Sequence, residues 1–230
     1  MKKGIGDRMK ENYELPYRMV LPMRLPTVIR IDGRCFHSFT RGMDRPFDEQ
    51  FIENMGELSK YLCHEISTAQ MAYVQSDEIS ILLHPYKKLE SQAWFANEIQ
   101  KMVSIAAGLA SSWFSRKYGK EAIFDARVFV LPEAEVCNYF IWRQQDATRN
   151  SIQMLARSLY SPNQLFKKNV NVLHDLIVEK GKNWNDLETY KKRGIFNFSK
   201  RSLEDSLFSI ISNSIIEVLF FLFLYLNHIP

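Results

Sequence analysis

The sequence predicts an α+β fold of the ferredoxin-like kind, an antiparallel sheet with helices packed on one face, followed by a small helical C-terminal region. Three observations carry that prediction. A β-branched, alternating run over 27–31 is stopped by Asp32-Gly33. Two apolar runs, 71–74 and 79–83, are separated by Gln75-Ser76-Asp77-Glu78, the pattern of a hairpin. Stretches of helical periodicity stand between these strands, so the order reads strand, helix, strand, strand, helix, strand, helix.

Each element has its own signal. The first helix is expected over 48–66, with Phe51, Met55, Leu58 and Leu62 on one face and Asp48 as N-cap. The second is expected over 89–118, where Met102, Ile105, Ala106, Leu109 and Trp113 recur at helical spacing and Gly119 stops the run. A strand over 124–131 is closed by Pro132, and a third helix over 133–160 ends at Ser161-Pro162. Smaller helices fill 163–192. The chain divides accordingly into a catalytic unit over 1–160, a basic helical region over 161–206 that completes the fold, and an apolar tail over 207–230.

Composition sets broad limits. The 230 residues suffice for one sizeable domain, and 46% hydrophobic with 24% charged residues is ordinary for a globular protein. A net charge of +4 is compatible with a nucleic-acid partner without requiring one. Cys35, Cys63 and Cys137 lie far apart with no C-x-x-C pair, which points to reduced thiols and a cytoplasmic setting. The first residues carry charge without an apolar core, unlike a signal peptide. Between 207 and 227 the only charge is Glu217. That stretch reads as a buried or partner-facing helix, a disrupted end, or a tail anchor; Ser209, Ser212, Asn213 and Ser214 dilute its first half against a membrane span.

The topology has a chemical consequence. Right-handed crossovers place the first strand beside the hairpin in the middle of the sheet. Asp32 ends that strand and Asp77 lies in the adjoining hairpin connection, so the two carboxylates converge at one sheet edge. Paired carboxylates repel unless protonated or bridged by cations, and hard oxygen ligands favour Mg²⁺. A sheet that presents two aspartates in this way is the palm of polymerases and nucleotide cyclases, where two metal ions serve phosphoryl transfer.

Four stretches sharpen the reading: Ile29-Arg30-Ile31-Asp32-Gly33-Arg34-Cys35-Phe36-His37, Tyr73-Val74-Gln75-Ser76-Asp77-Glu78, Phe124-Asp125-Ala126-Arg127-Val128 and Trp142-Arg143-Gln144-Gln145-Asp146. In this order they resemble the tRNA(His) guanylyltransferase family and its guanylyltransferase-like relatives. The likeness runs over about 20–195 and includes Tyr190-Lys191-Lys192-Arg193-Gly194, similar to a basic-glycine motif of the family.

The resemblance implies a palm-like nucleotidyltransferase that extends tRNA at its 5′ end, with two Mg²⁺ ions and with ATP and GTP or other nucleoside triphosphates as substrates. A homotetramer is expected on the same ground, whereas a membrane partner is disfavoured by the polar residues of the tail. Asp32, Asp77 and the Gly33 carbonyl take the place of metal ligands, and Glu78 either assists them or is a solvated hairpin residue. Ser76 either matches a triphosphate contact or is an ordinary turn hydroxyl; His37 and Asp48 match positions near the incoming base, or are a loop histidine and a plain N-cap. Arg45 stands where a lysine is expected, which keeps the charge but changes the geometry of phosphate contact. Lys101 is either a phosphate contact from the second helix or a solvated lysine. Arg143, Asp146 and Asn150 share one helix face, where an Arg–Asp pair either braces the site or is purely structural.

Eukaryotic histidine-tRNA enzymes follow the Trp-Arg-Gln segment with a His-Ile-Asn-Asn-Leu-Tyr-Asn-type motif. Here Thr148-Arg149-Asn150-Ser151-Ile152-Gln153-Met154 keeps only Asn150. This departure is similar to the branch that repairs 5′-truncated tRNA by templated addition, ahead of strict tRNA(His) specificity. Basic residues such as Lys167, Lys168, Lys180, Lys182, Lys192, Lys200 and Arg201 offer phosphate contacts or simply a solvated face. A forward polymerase or cyclase on the same palm, a non-catalytic RNA-binding module and a degraded copy are the rival readings. The RNA-binding module would carry more aromatic residues on its strands than Tyr73, Phe124 and Phe129.

Overall fold

A computed structural model describes residues 4–85 and 90–199. After a short helical arm, α1 (Ile5–Met9), the chain enters β1 (Thr27–Gly33) and then a single helical turn, α2 (Phe36–Phe39). Next come α3 (Glu49–Glu65), β2 (Ala69–Gln75) and β3 (Glu78–Leu83). They are followed by α4 (Ile99–Tyr118), β4 (Phe124–Val130) and α5 (Glu133–Leu159). The chain continues through α6 (Pro162–Leu165), α7 (Val170–Glu179), α8 (Thr189–Arg193) and β5 (Ile195–Phe198). The sheet order is β4-β1-β3-β2-β5, and every pairing is antiparallel. The first four strands have the ferredoxin-like arrangement, with β1 between β4 and the hairpin.

Period-2 alternation sends β1 side chains to opposite faces. Ile29 and Ile31 pack with Phe36, Met55, Leu58, Phe114 and Phe124 under the crossover helices α3 and α4. Each fully buried aliphatic or aromatic side chain of this kind contributes about 1.5–3 kcal/mol. Asp48 caps α3 as the sequence predicts, accepting from the Phe51 amide at 2.8 Å. The other face is covered as well. Val28, Met71, Tyr73 and Leu82 pack against Val136, Tyr139 and Phe140 of α5. The distal half of α5 carries Ile152, Leu155 and Ala156 against Leu173, Ile177 and Trp184, so this one helix joins the sheet to the C-terminal helices.

Two boundaries depart from the sequence reading. The second long helix begins at Ile99, ten residues after the expected start at 89. Residues 94–98 are bound to the segment before β1: the Leu21 amide donates to the Asn97 carbonyl at 3.0 Å and the Ile99 amide to Met19 at 3.0 Å. The buried Asn97 side chain also donates to the Pro22 carbonyl at 3.1 Å. Phe95, Ala96 and Asn97 take left-handed φ values that an α-helix excludes. The second departure is β5. This strand extends the β2 edge, pairing Val74 with Ile195 and Tyr73 with Phe196.

No helix among the described residues is long and apolar enough to cross a membrane. The expectations for the tail over 207–230, and for Lys200 and Arg201, lie outside the described residues.

Candidate active site

The end of β1 and the tip of the β2–β3 hairpin are tied directly: the Gly33 amide donates to the Asp77 carbonyl at 3.1 Å. Gly33 has no room for a side chain, since a Cβ there would stand 2.4 Å from the ring of Phe36. Ser76 turns the hairpin at φ +51°, which leaves Asp77 as the last residue before β3.

Beside this tie opens a cavity of about 610 Å³. Its wall contains Gly33, His37, Arg45, Asp48, Ser76 and Asp77, six of the residues the sequence singles out. Both Asp48 oxygens accept backbone N–H groups, from Phe51 at 2.8 Å and Asp44 at 3.1 Å, so the cap also fixes the loop that carries Arg45. The opposite wall comes from α5 and α8, through Ser151, Met154, Arg157 and Lys191 among others. Sequence reasoning assigned no site role to these α5 positions. Their spacing of three and four residues is a helix face, but helical spacing alone does not separate a cavity wall from a core contact. Lys191 lies in the basic-glycine segment and is ion-paired with Glu49 and with Glu188, 3.1 Å away, which raises its pKa. Gly194 closes that segment at φ +79°, where a Cβ would collide with the Val74 carbonyl at 2.4 Å.

Asp32 sits at the junction but outside the cavity wall. Alternation directs it, with Arg30, to the α5 face of the sheet. The strand register sets Asp125, Asp32 and Glu78 side by side, and one step behind them Arg127 beside Arg30. An acidic row is thus backed by a basic one. Asp32 Oδ2 lies 3.9 Å from Arg30 Nη2 and 4.0 Å from Arg127 Nη2.

Glu78 is enclosed within this network. It is buried, with Oε2 3.4 Å from Arg30 Nε and Oε1 3.3 Å from Arg143 Nε. Burial pushes its carboxyl upward, and the two arginines oppose that shift. Of the two readings from sequence, a solvated hairpin residue is excluded by this burial. Arg143, itself 3% exposed, also pairs with Asp146, and Asp146 with Arg149. Asn150 is half-buried on the same helix and does not line the cavity. Lys101 is away from the cavity and paired with Glu98 at 3.3 Å, which also holds Arg18 at 2.9 Å.

Asp77 is the electrostatically stressed member of the site. Desolvation raises its carboxyl pKa, and the nearby Asp32 charge adds to the rise, while its own backbone amide and the Ser76 hydroxyl lower it. A cation shared by the two carboxylates would relieve both penalties. Among the described residues no group of three or more His, Cys, Asp and Glu side chains forms a metal cage. Mg²⁺ does not need one, since it is held by one or two carboxylates while substrate phosphates and water complete its shell. Two neighbouring carboxylates, one of them on the cavity wall, fit that requirement.

Comparison with known proteins bears on the family and the fold. The family model described as tRNAHis guanylyltransferase matches residues 6–132. A solved bacterial tRNA(His) guanylyltransferase-like protein in complex with ATP superposes with a TM-score of 0.82 at 47% identity, covering 86% of this chain and 90% of that one. A structure described in the same words, in complex with GTP, gives 0.77 at 45% identity over 85% and 84%. A probable tRNA(His) guanylyltransferase of Drosophila melanogaster is 29% identical over 199 residues, 82% of this chain and 62% of that protein. The chain therefore spans less than two thirds of that relative's length.

Proposed function

We propose, from the premise that this chain belongs to the tRNA(His) guanylyltransferase family, that it adds nucleotides to the 5′ end of tRNA in the 3′–5′ direction, with the opposing strand of the acceptor stem choosing each base. The observation that carries this reading is that Asp77, whose carboxyl feels the nearby Asp32 charge, lines a cavity together with Ser76, His37, Arg45 and Asp48. ATP and GTP, bound by the bacterial relatives, are the triphosphates that cavity is expected to take.

The chemistry follows from what a 5′-monophosphate lacks. It has no good leaving group, so one of its oxygens attacks the α-phosphorus of a nucleoside triphosphate and pyrophosphate departs. The 3′-hydroxyl of the incoming nucleotide then attacks the activated 5′-phosphorus. The hydroxyl proton is lost, the new P–O bond forms, and nucleoside monophosphate leaves. A 5′-triphosphorylated end skips the first step because it already carries pyrophosphate.

Asp32, Asp77 and the Gly33 carbonyl are the residues that would hold Mg²⁺, and a pair of such ions would acidify the attacking hydroxyl and offset charge on the departing phosphate. Ser76 at the hairpin tip and Arg45 on the facing loop provide polar contacts for the triphosphate. His37 and Asp48 border the base. Glu78 orders the end of the sheet through Arg30 and Arg143. Templated repair is preferred over strict tRNA(His) specificity because two departures from the family's histidine-tRNA motif, Ser151 and Met154, fall on the cavity wall. A homotetramer belongs to the same proposal.

The test is extension of 5′-labelled, 5′-truncated tRNA by purified protein with each triphosphate, with and without Mg²⁺. Products lengthened at the 5′ end only with Mg²⁺, and only where the added base pairs with the opposing strand, are expected. Absence of extension on every tRNA overturns the proposal.

A further inference from the structure

Trp142 opens the motif that carries Arg143 but has itself no role in the chemistry above, and its placement is unusual. Trp142 is 48% exposed. Isolated apolar side chains on a surface are ordinary and need no explanation. This one is held from below: the guanidinium carbon of the buried Arg143 lies 4.0 Å from the ring centroid, and Tyr139 meets the ring in a T-shape at 5.8 Å. A buried cation stacked on an exposed indole fixes the ring's orientation, so a second planar group can stack on it with little loss of conformational freedom.

Its place in the molecule suggests what that group is. Contacts run from Trp142 to Arg143, from Arg143 to Glu78, from Glu78 to Arg30, and from Arg30 to Asp32, each at 4.0 Å or less. The indole is thus linked through Arg143, Glu78 and Arg30 to the Asp32 side of the acid pair, whereas Asp77 faces the cavity and neither Trp142 nor Asp32 lines it. A reaction between a triphosphate and an RNA end needs two berths that meet at the acids. With the triphosphate in the cavity, the RNA end falls on the α5 face. Two half-exposed arginines border the same network, Arg127 at Asp32 and Arg149 at Asp146. They supply charge complementary to a phosphate backbone.

We propose that Trp142 is a stacking platform for the nucleobase at the 5′ end of the RNA substrate, with Arg127 and Arg149 flanking the adjacent phosphates. The proposal rests on the functional reading above and adds the surface that receives the RNA. Base–aromatic stacking tolerates any base, as a substrate whose added base is chosen by pairing requires.

The test uses 5′-truncated tRNA carrying 2-aminopurine as its 5′-terminal base, without triphosphate. Wild-type protein is expected to change the 2-aminopurine emission. Trp142→Ala is expected to lose that change and to bind the RNA on the order of tenfold or more weakly, while Mg·ATP binding stays at the wild-type level. Trp142→Phe, which keeps a stacking ring and guards against a folding defect in the alanine variant, recovers most of both signals. If wild-type protein extends the RNA but the alanine variant binds it as tightly with the same emission, the platform is overturned and the enzymatic reading stands. If sedimentation shows Trp142→Ala altering only the assembly state, with RNA affinity unchanged, the indole is a contact between copies and the proposal is likewise overturned. Wild-type protein that neither binds nor extends the RNA overturns both readings.

Discussion

The amide of Gly33 donates to the carbonyl of Asp77 across 3.1 Å, binding the last residue of β1 to the tip of a hairpin more than forty positions later in the chain. This bond fixes the spacing between two carboxylates that sequence separation would leave unrelated. The residue after Asp32 is kept small by a different contact, the Phe36 ring beside its Cα.

Replacing Gly33 with Ala sets a methyl group 2.4–2.8 Å from the Phe36 ring, which is buried, stacked on Phe39 and tilted against Phe124. The ring is crowded by four aromatic neighbours, Phe39, Phe51, Phe114 and Phe124. The expected cost is about 1–3 kcal/mol, read from the midpoint of urea unfolding, together with loss of nucleotide addition. A variant with unchanged midpoint and activity contradicts the packing described.

Asp77→Asn is expected to inactivate the protein yet stabilise it when metal is absent. Desolvation and the Asp32 charge raise the Asp77 carboxyl pKa in the fold. A carboxyl raised in this way favours folding below its unfolded value, near 3.9, and its contribution is lost as pH rises through the folded value. At neutral pH the buried charge is therefore a cost that the amide removes. Thermal unfolding in EDTA at pH 7 checks the sign, and a lower melting temperature for the variant contradicts it.

Asp146 behaves in the opposite sense. Burial works to raise its carboxyl pKa, but hydrogen bonds from Arg149 and Arg143 together hold it below the ordinary range. Its stabilising contribution is present above the unfolded pKa of about 3.9 and is lost as pH falls through the folded value. Asp146→Asn should thus be less stable than wild type at neutral pH, and the two should converge under acid. A gap that stays constant from pH 7 to pH 3 rules out this linkage.

The thiols should separate by reactivity. Cys35 is exposed and lines the cavity, while Cys63 is buried and pushed up to about 12 by desolvation. Because the thiolate is the reactive form, iodoacetamide should label Cys35 in native protein and reach Cys63 only after unfolding. Mg·ATP should protect Cys35. Equal labelling with and without nucleotide would separate the cavity from nucleotide binding.

These particulars show which features the sequence carries openly. The strand order, the Asp48 cap and the nearness of residues 32 and 77 follow from periodicity and crossover handedness, which are local or topological rules. Strand β5 escaped notice because Ile195-Phe196-Asn197-Phe198 is too short for alternation to stand out. The late start of α4 was hidden because it depends on backbone bonds to residues 19–22, which no pattern within 89–99 reveals. The enclosure of Glu78 by Arg30 and Arg143 likewise depends on a cross-strand register and on a helix residue 65 positions away. The cavity wall from α5 is a helix face whose partner is empty space, and hydrophobic periodicity carries no mark for that.

The central claim is that Asp32 and Asp77 share divalent cations beside a bound triphosphate. Electron paramagnetic resonance of Mn²⁺, titrated into protein holding an ATP analogue with an uncleavable α,β-bridge, counts those ions directly. Wild-type protein is predicted to retain two per chain, and Asp32→Asn and Asp77→Asn to retain fewer. Two ions per chain in Asp77→Asn would contradict the account.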